Sequence, residues 1–433
     1  MSTIGCLSLT GCRASLALLE RSSYPADEQL ARLPGLLAAS GADQLAVLST
    51  CERTEFYAVW SGEPDHDGLV RTLAADRDLP YDAVDAATVR FSGADAVAHL
   101  FRVATGLESF VIGDADIVGQ VRTAAELCRT AGVDGLELDR LMGAAISTSR
   151  RAHRRTSFER AGRSVGAAAV DAAAALNDGS LAGRRLLVVG AGQVAAAVVA
   201  RAGEAGASVT VCNRTRRRAE RFTAAGAEVV DLAQLGTCLA EADVVILGAA
   251  APHPLIDRAT IDAARGQGQE RLLLLDLCLP RTVDPAVRGM PAVRLVDLAD
   301  LRTMNLNDIG TLAEDAAIAG RIVEEQVERF VAWLAGRPAA EAVRRLRADS
   351  EAIARGELDV LRRTLPGEVY EQVERTLIRA VHKLTHGPTR RLVDAAEAGD
   401  QQLVELLTNL FGTSTEPVTD PVATANRIRA ASV

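Results

Sequence analysis

The stretch Arg185-Leu-Leu-Val-Val-Gly-Ala-Gly-Gln-Val-Ala195 constrains this chain more than any other. A β-prone apolar run enters a GxGxxA turn and leaves into an alanine-rich segment, which reads as strand, glycine turn and helix. Similar apolar runs recur at Val209-Thr-Val-Cys212, Val244-Val-Ile-Leu247 and Leu272-Leu-Leu-Leu275. Strands with so little polar alternation are covered on both faces. Their alternation with helical segments through 183–300 predicts a parallel, doubly wound α/β sheet. A GxGxxG-like string is weak evidence alone. This one follows a strand, opens a helix and meets a second strand at the spacing of a dinucleotide site. Glycines there let the backbone approach a pyrophosphate, which the helix N-terminus then stabilises. The candidate cofactor contacts are Gly190, Ala191, Gly192, Gln193, Val194 and Ala195, with Asn213, Arg214 and Thr215 at the end of the second strand. An NAD site would offer an acid to the ribose at that end. Arg214, with Arg216, Arg217 and Arg218 behind it, suits the 2′-phosphate of NADPH.

Ahead of this domain, strands are predicted over 4–10, 45–48, 54–60 and 89–91, and helices over 27–39 and 67–75. That order is a split βαβ, ferredoxin-like unit. In 54–60, Phe56, Ala58 and Trp60 alternate with Tyr57 and Val59, as in a half-buried strand. Helices follow over 94–104, which carries His99, then over 115–130 and from 136 toward 155. Cys51 lies between two of the strands, in Ser49-Thr-Cys-Glu-Arg53. Two readings stand for it: a buried cysteine acting as a small hydrophobe, or a nucleophile whose thiolate is favoured by Arg53.

Composition removes several chemistries. Lys383 is the only lysine, which excludes a P-loop lysine, a tyrosine–lysine dehydrogenase pair and most Schiff-base catalysis. The 7 cysteines form no CxxC, so neither a zinc ribbon nor a disulfide framework is expected, and no metal site. His382-Lys-Leu-Thr-His386 has metal-ligand spacing, but Lys383 stands where a base would act, and the segment reads as structural. The net charge of −9 excludes a uniformly basic nucleic-acid binder. It leaves open a local patch at Arg150, Arg151, Arg154, Arg155, Arg160 and Arg163, which is either a solvated helix face or a phosphate-facing surface. Neither a signal peptide nor an 18-residue apolar run is found, so a cytoplasmic protein without a membrane span is expected.

From about 311 the chain reads as helix, with Val323, Val327, Phe330 and Leu334 on one apolar seam. Pro338 is expected to interrupt it, with further amphipathic helices over 342–365, 368–385 and 401–411. Helices of this kind complete their core by pairing with a second subunit, so a homodimer is expected. The polar residues 416–433 are expected to be a disordered tail.

Taken in order, these motifs resemble those of the glutamyl-tRNA reductase family. The resemblance covers about residues 40–410. It rests on Ser49-Thr-Cys-Glu-Arg-Thr-Glu55, on His99-Leu-Phe-Arg-Val-Ala-Thr-Gly-Leu-Glu-Ser109 and on Gly113 through Gln120. It continues with Gly190-Ala-Gly192, Asn213-Arg-Thr215, Ala250-Ala-Pro-His-Pro254, Asp276-Leu-Cys-Leu-Pro-Arg281 and helical signatures at 324–333 and 383–388. The resemblance implies an α/β multidomain chain forming a V-shaped homodimer. Residues 1–155 would be a ferredoxin-like α+β catalytic domain that binds aminoacyl-tRNA, 165–300 a Rossmann NADPH domain, and 305–415 a long spinal helix with a helical dimerisation domain. It also implies NADPH-dependent reduction of glutamyl-tRNA to glutamate-1-semialdehyde through a Cys51 thioester. That is the first step of 5-aminolevulinate and tetrapyrrole synthesis, and glutamate-1-semialdehyde aminomutase is the implied partner. Thr50, Cys51, Glu52, Arg53, Ser109, Asp114, Ala115, Asp116 and Gln120 match the family's substrate pocket. Arg53 would clamp the glutamate carboxylate, and His99 would orient groups or handle a proton.

This sequence departs from the family pattern in three places. Glu52 stands where the family has Asn, Gly113-Asp-Ala-Asp116 replaces GEPQ, and Leu9 or Thr10 stands where a histidine is expected. Two carboxylates thus replace neutral amides. Three other readings remain: a reductase for a different aminoacyl-tRNA, a non-catalytic NADP- and tRNA-binding dimer, and a shikimate-type dehydrogenase. The last also pairs a glycine loop with Asn-Arg-Thr, but it leans on a lysine.

Overall fold

The computed structural model describes residues 2–158, 164–249, 251, 253–266, 271–304, 309–397, 400, 402–404 and 406–407, without the side chains of 309–312, 338 and 397. Two compact units, Met1–Phe330 and Val331–Val433, divide the chain.

The first unit holds two sheets. In the first, β1 (Thr3–Thr10), β2 (Gln44–Ser49), β3 (Arg53–Trp60) and β4 (Thr88–Ser92) lie in the order β2-β3-β1-β4, all antiparallel. That is the strand order of the expected split βαβ unit. Sequence patterning missed two short helices, Leu16–Ser22 and Tyr81–Ala87. Each spans only 7 residues, too few to establish a 3.6-residue period. Their signals are local instead, since the Ser15 side chain caps the first and Pro80 precedes the second.

The expectation for 54–60 is corrected: every residue of β3 is buried. Successive side chains on a strand point to opposite faces. The face that would have met water carries Arg53, Glu55 and Tyr57, and His99 from the helix Ala94–Ala104 covers them. The alternation is therefore between an apolar layer and a buried polar one.

In the second sheet, β5 (Arg185–Val189), β6 (Ser208–Asn213), β7 (Glu228–Asp231), β8 (Val244–Leu247), β9 (Leu272–Asp276) and β10 (Val293–Asp297) lie in the order β10-β9-β8-β5-β6-β7. All pairs are parallel. This is the doubly wound dinucleotide-binding topology, whose strand order reverses between β5 and β8. The edge strands β7 and β10 are short and carry charged residues, so no apolar run announced them. An ion pair joins the two halves of the unit. Glu20 accepts from the Arg281 backbone N–H and Nε, both at 2.7 Å, and from Nη2 at 2.6 Å.

A 53-residue helix, Ile309–Leu361, runs on past position 338, so the expected break there is corrected. Proline removes one backbone hydrogen bond and kinks a helix more often than it ends a long one. Pro388 likewise lies inside the helix Gly367–Glu397. On the seam, Val323 and Phe330 are buried, and Val327 and Leu334 are partly so. The second unit exposes Ile353, Val360, Val369, Leu384 and Leu406, together with His382, Lys383 and His386. The segment expected at 401–411 is only partly described, and Arg160, Arg163 and the tail 416–433 lie outside the described residues. Among the described residues no helix is long and apolar enough to cross a membrane.

Candidate active site

Cys51 sits at the tip of the β2–β3 hairpin, whose last pair is Ser49 with Thr54. Thr50 sets this turn. Its N–H donates to the Arg53 carbonyl at 2.8 Å, and its Oγ1 accepts from the Glu52 and Arg53 N–H groups at 3.1 and 3.2 Å. A second loop meets the tip. Gly106 has φ +78°, and a β-carbon there would lie 2.6 Å from the Asp114 nitrogen. Only glycine lets 106–114 fold back in this way, bringing Ser109 and Asp114 into the same buried region. The loop is tied to the hairpin, since the Phe110 N–H donates to Glu52 Oε2 at 3.0 Å.

The electrostatics differ from the expectation. Arg53 is buried and turned inward. Its Nη1 lies 3.2 Å from Glu55 Oε1, its Nη2 donates to the Glu108 carbonyl, and Glu52 Oε2 is 3.8 Å away. Little of that cation is left for Cys51. Burial first, then the charges of Glu52 and Asp114, push the Cys51 thiol up to about 12. The thiolate is disfavoured in the resting site, the opposite of what Arg53 alone would produce. Burial also raises Asp114 to about 7, with Asp116 and Glu52 adding to the shift, and burial raises Asp116. Asp114 Oδ1 accepts from the Asp116 N–H at 3.0 Å.

Sequence reading missed Glu55 as a hub. Its carboxylate accepts from Ser8 and Tyr57 at 2.7 Å, contacts His99 Nε2 at 2.8 Å and pairs with Arg53. Burial would raise its pKa, but His99 and Arg53 beside it, with hydrogen bonds from His99 and Tyr57, hold it well below the usual carboxylate range. Cys6 brings its sulfur into reach of Glu55 and His99 with metal-ligand spacing. The Glu55 oxygens are already filled by these partners, so the cluster is a hydrogen-bond network. An acid inside a β-prone apolar strand was the signal that could have found it. His99 also stacks on Phe91, with ring centroids 4.2 Å apart.

On the second sheet, Gly190 has φ +124°, and a β-carbon there would lie 2.9 Å from the Gly248 carbonyl oxygen. Gly192 caps the helix Gln193–Glu204 with no side-chain hydrogen bond, and a β-carbon on it would meet nothing within 4 Å. That leaves an open cradle of helix N–H groups. A cleft of ≈ 390 Å³ extends from it past Asn213, Arg214, Thr215 and Arg218. Arg216 and Arg217 do not line it. Asn213 Nδ2 donates to the Thr215 carbonyl at 2.9 Å, shaping the turn. Arg221, unforeseen, donates to the Ala191 and Gly192 carbonyls at 2.9 and 3.1 Å. Glycine turn, open helix end and two arginines fit a dinucleotide bearing a 2′-phosphate.

The two regions meet. Cys51 and Phe110 pack on the same hydrophobic cluster as Ala191, Val194 and Ala195. Gly119, next to Gln120, lies against the amide of Gln193. A second cavity of ≈ 260 Å³ is lined by Ala115, Val118, Ser149, Arg150, His153 and Arg154. The arginine run thus divides, with Arg150 and Arg154 on that cavity and Arg151 paired to Glu325 at 2.7 Å.

Comparisons with known proteins cover nearly the whole chain. The family described as "Glutamyl-tRNAGlu reductase, N-terminal domain" matches residues 7–156, and "Glutamyl-tRNAGlu reductase, dimerisation domain" matches 318–413. Between them, "Shikimate / quinate 5-dehydrogenase" matches 172–304. "Glutamyl-tRNA reductase 2" of Nocardioides sp. is 47% identical over 423 residues, covering 96% of this chain and 94% of that protein. "Glutamyl-tRNA reductase" of Salinispora arenicola is 38% identical over 96% of this chain and 93% of that protein. Among solved structures, "Glutamyl-tRNA Reductase from Methanopyrus kandleri" is 27% identical, covers 94% of this chain and 99% of that one, and has a TM-score of 0.46.

Proposed function

The chain belongs to the glutamyl-tRNA reductase family, and from that premise we propose that it reduces glutamyl-tRNA with NADPH to glutamate-1-semialdehyde through a thioester on Cys51. The observation that carries this reading is that Cys51 and the loop residues Ala191 and Val194 pack on one hydrophobic cluster. A thiol at a hairpin tip and a nucleotide cradle sharing one core support a reaction in which that thiol and a bound dinucleotide act on one substrate. The domain division that goes with it is 1–155 for catalysis, 165–300 for NADPH and 305–415 for the spinal helix and dimerisation.

In this mechanism Cys51 sulfur attacks the ester carbonyl, the bond to the tRNA 3′ oxygen breaks, and the leaving hydroxyl takes a proton. Glu52 and Asp114 receive the α-ammonium group. Its positive charge offsets the two acids that disfavour the thiolate, so the thiol becomes reactive when charged tRNA is present. Gly190–Ala195, with Arg214 and Arg218 lining the same cleft, would hold NADPH, whose chemistry there would be hydride donation to the thioester carbon. Cys51 then leaves as thiolate when the carbon–sulfur bond breaks and the aldehyde forms. His99 is a positioning residue that holds Glu55 and, through it, Arg53. Thr50, Ser109, Asp116 and Gln120 shape the pocket. Arg150 and Arg154, on the Ala115 side, face the phosphates of the acceptor end. The match of 318–413 to a dimerisation domain and the exposed apolar side chains of the second unit support a homodimer. The aldehyde is reactive, and an aminomutase that consumes it is the fitting partner.

The acidic lining at Glu52, Asp114 and Asp116 favours one second reading, reduction of a different aminoacyl-tRNA. Single-turnover reduction with NADPH by wild type and Cys51→Ser tests both. Aldehyde formation that survives the substitution would remove Cys51 from the chemistry. No aldehyde from glutamyl-tRNA, with NADPH oxidised by another charged tRNA, would move the substrate.

A further inference from the structure

The dinucleotide loop Gly190-Ala-Gly192 has glycine at both ends, which leaves its peptide planes easy to turn. Gly192, at φ −84° and ψ −164°, makes no side-chain cap hydrogen bond, and a β-carbon on it would meet nothing within 4 Å. Its own N–H and that of Gln193 are the first two donors at the start of the helix Gln193–Glu204, where no intrahelical partner exists. Holding a pyrophosphate at this end requires those donors to stay aimed at it.

Arg221 ties the loop from outside. It lies beyond β6, in the 3₁₀ turn Glu220–Ala225. Its Nη2 donates to the Ala191 carbonyl at 2.9 Å and to the Gly192 carbonyl at 3.1 Å. A trans peptide is planar, so its carbonyl and its N–H point in opposite directions. Fixing the Ala191 carbonyl therefore aims the Gly192 N–H away from Arg221, and fixing the Gly192 carbonyl does the same for the Gln193 N–H. The guanidinium is itself seated. Its Cζ lies 4.7 Å from the ring centroid of Phe222, which is buried in the same cluster as Ala195 and Val198.

Charge points the same way. Among the described residues no ion pair engages Arg221, although the chain has a net charge of −9. A cation beside the first turn of a helix opposes the macrodipole, and an anion bound at that end compensates both.

We propose that Arg221 is a positioning residue of the dinucleotide site. It fixes the peptide planes whose N–H groups receive the pyrophosphate, while Arg214 and Arg218, which line the cleft, select the 2′-phosphate. This division of tasks rests on the cleft being the NADPH site.

Wild type, Arg221→Gln, Arg221→Lys and Arg218→Gln of the full chain are titrated with NADPH and NADH by fluorescence, and with adenosine 2′-monophosphate by displacement of NADPH. The monophosphate carries the 2′-phosphate and lacks the pyrophosphate. Arg221→Gln is expected to weaken NADPH and NADH alike, by about fivefold to tenfold, and to leave the affinity for the monophosphate unchanged. Arg221→Lys keeps a charged donor near the carbonyls and should recover part of the loss. Arg218→Gln should instead lower the NADPH-to-NADH ratio and weaken the monophosphate. General damage to the domain would weaken all three ligands together, so the monophosphate separates positioning from misfolding. Unchanged NADPH affinity in Arg221→Gln, or a loss shared by the monophosphate, overturns the assignment and leaves the cleft as the NADPH site. Wild type that binds no NADPH overturns the reading of the cleft itself.

Discussion

Glu52→Gln is the sharpest probe of how Cys51 is controlled. Glu52 is buried beside the thiol, and its charge stands directly behind desolvation among the causes that push Cys51 up to about 12. Two unit charges about 6 Å apart at an effective dielectric of about 20 interact by about 3 kcal/mol, which is about two pKa units. Glutamine keeps an acceptor for the Phe110 N–H and removes the charge. The expected outcome is a Cys51 that ionises at a pH about one to two units lower than in the wild type. Its alkylation at pH 8 should be about ten times faster or more. The assay is the rate of iodoacetamide labelling from pH 7 to 11, with Cys51 resolved from exposed Cys12 by peptide mass. Turnover should move the other way, because the variant has lost one acid that receives the α-ammonium group. A labelling profile that is unshifted, or shifted upward, would refute the electrostatic account, since removing a neighbouring negative charge cannot raise a thiol's pKa through Coulomb interaction.

Asp114 gives a stability prediction with a definite sign. Its pKa rises from 3.8 to about 7 on folding, so between those values the folded state holds more protons and stability falls as pH rises through the window. The ceiling on that loss is about 4 kcal/mol, of which about 1.5 kcal/mol is already lost at pH 5; Asp114→Asn should abolish it, and urea unfolding at pH 5 and pH 8 should give a variant advantage larger at pH 8 by about 2–3 kcal/mol. An equal difference at both pH values would contradict the shift. The Glu20–Arg281 pair, with side chains 14% and 26% exposed, should cost about 2–3 kcal/mol when broken by Arg281→Met, because Glu20 is left partly buried without its cation. Adding Glu20→Gln should recover part of that loss in a denaturation cycle, and strict additivity of the two changes would show that the pair is not coupled.

Much of this protein was legible without coordinates because its strongest signals are local. The run from Arg185 to Ala195 joins a buried strand to a glycine turn and a helix, and each piece is set by its neighbours in sequence. The Cys51 hairpin is similar, with β-prone strands on either side of a polar turn that Thr50 closes on itself. Pattern failed where length or chain distance defeated it. Helices of one or two turns show no period, and β7 and β10 are too short and too charged to stand out. Pro338 misled for a different reason: a helix of 53 residues loses only one hydrogen bond to it.

Sequence alone determined the two sheets, the nucleotide loop, the thiol at the hairpin tip and the helical end of the chain. The tertiary structure decided which charges face which. Arg53, close to Cys51 in sequence, is turned onto Glu55, and Arg221, beyond β6, reaches back to the dinucleotide loop. The physical reason is that periodicity and turn chemistry act between neighbours in the chain, whereas desolvation and Coulomb interaction depend on distance in space, which only the folded packing sets.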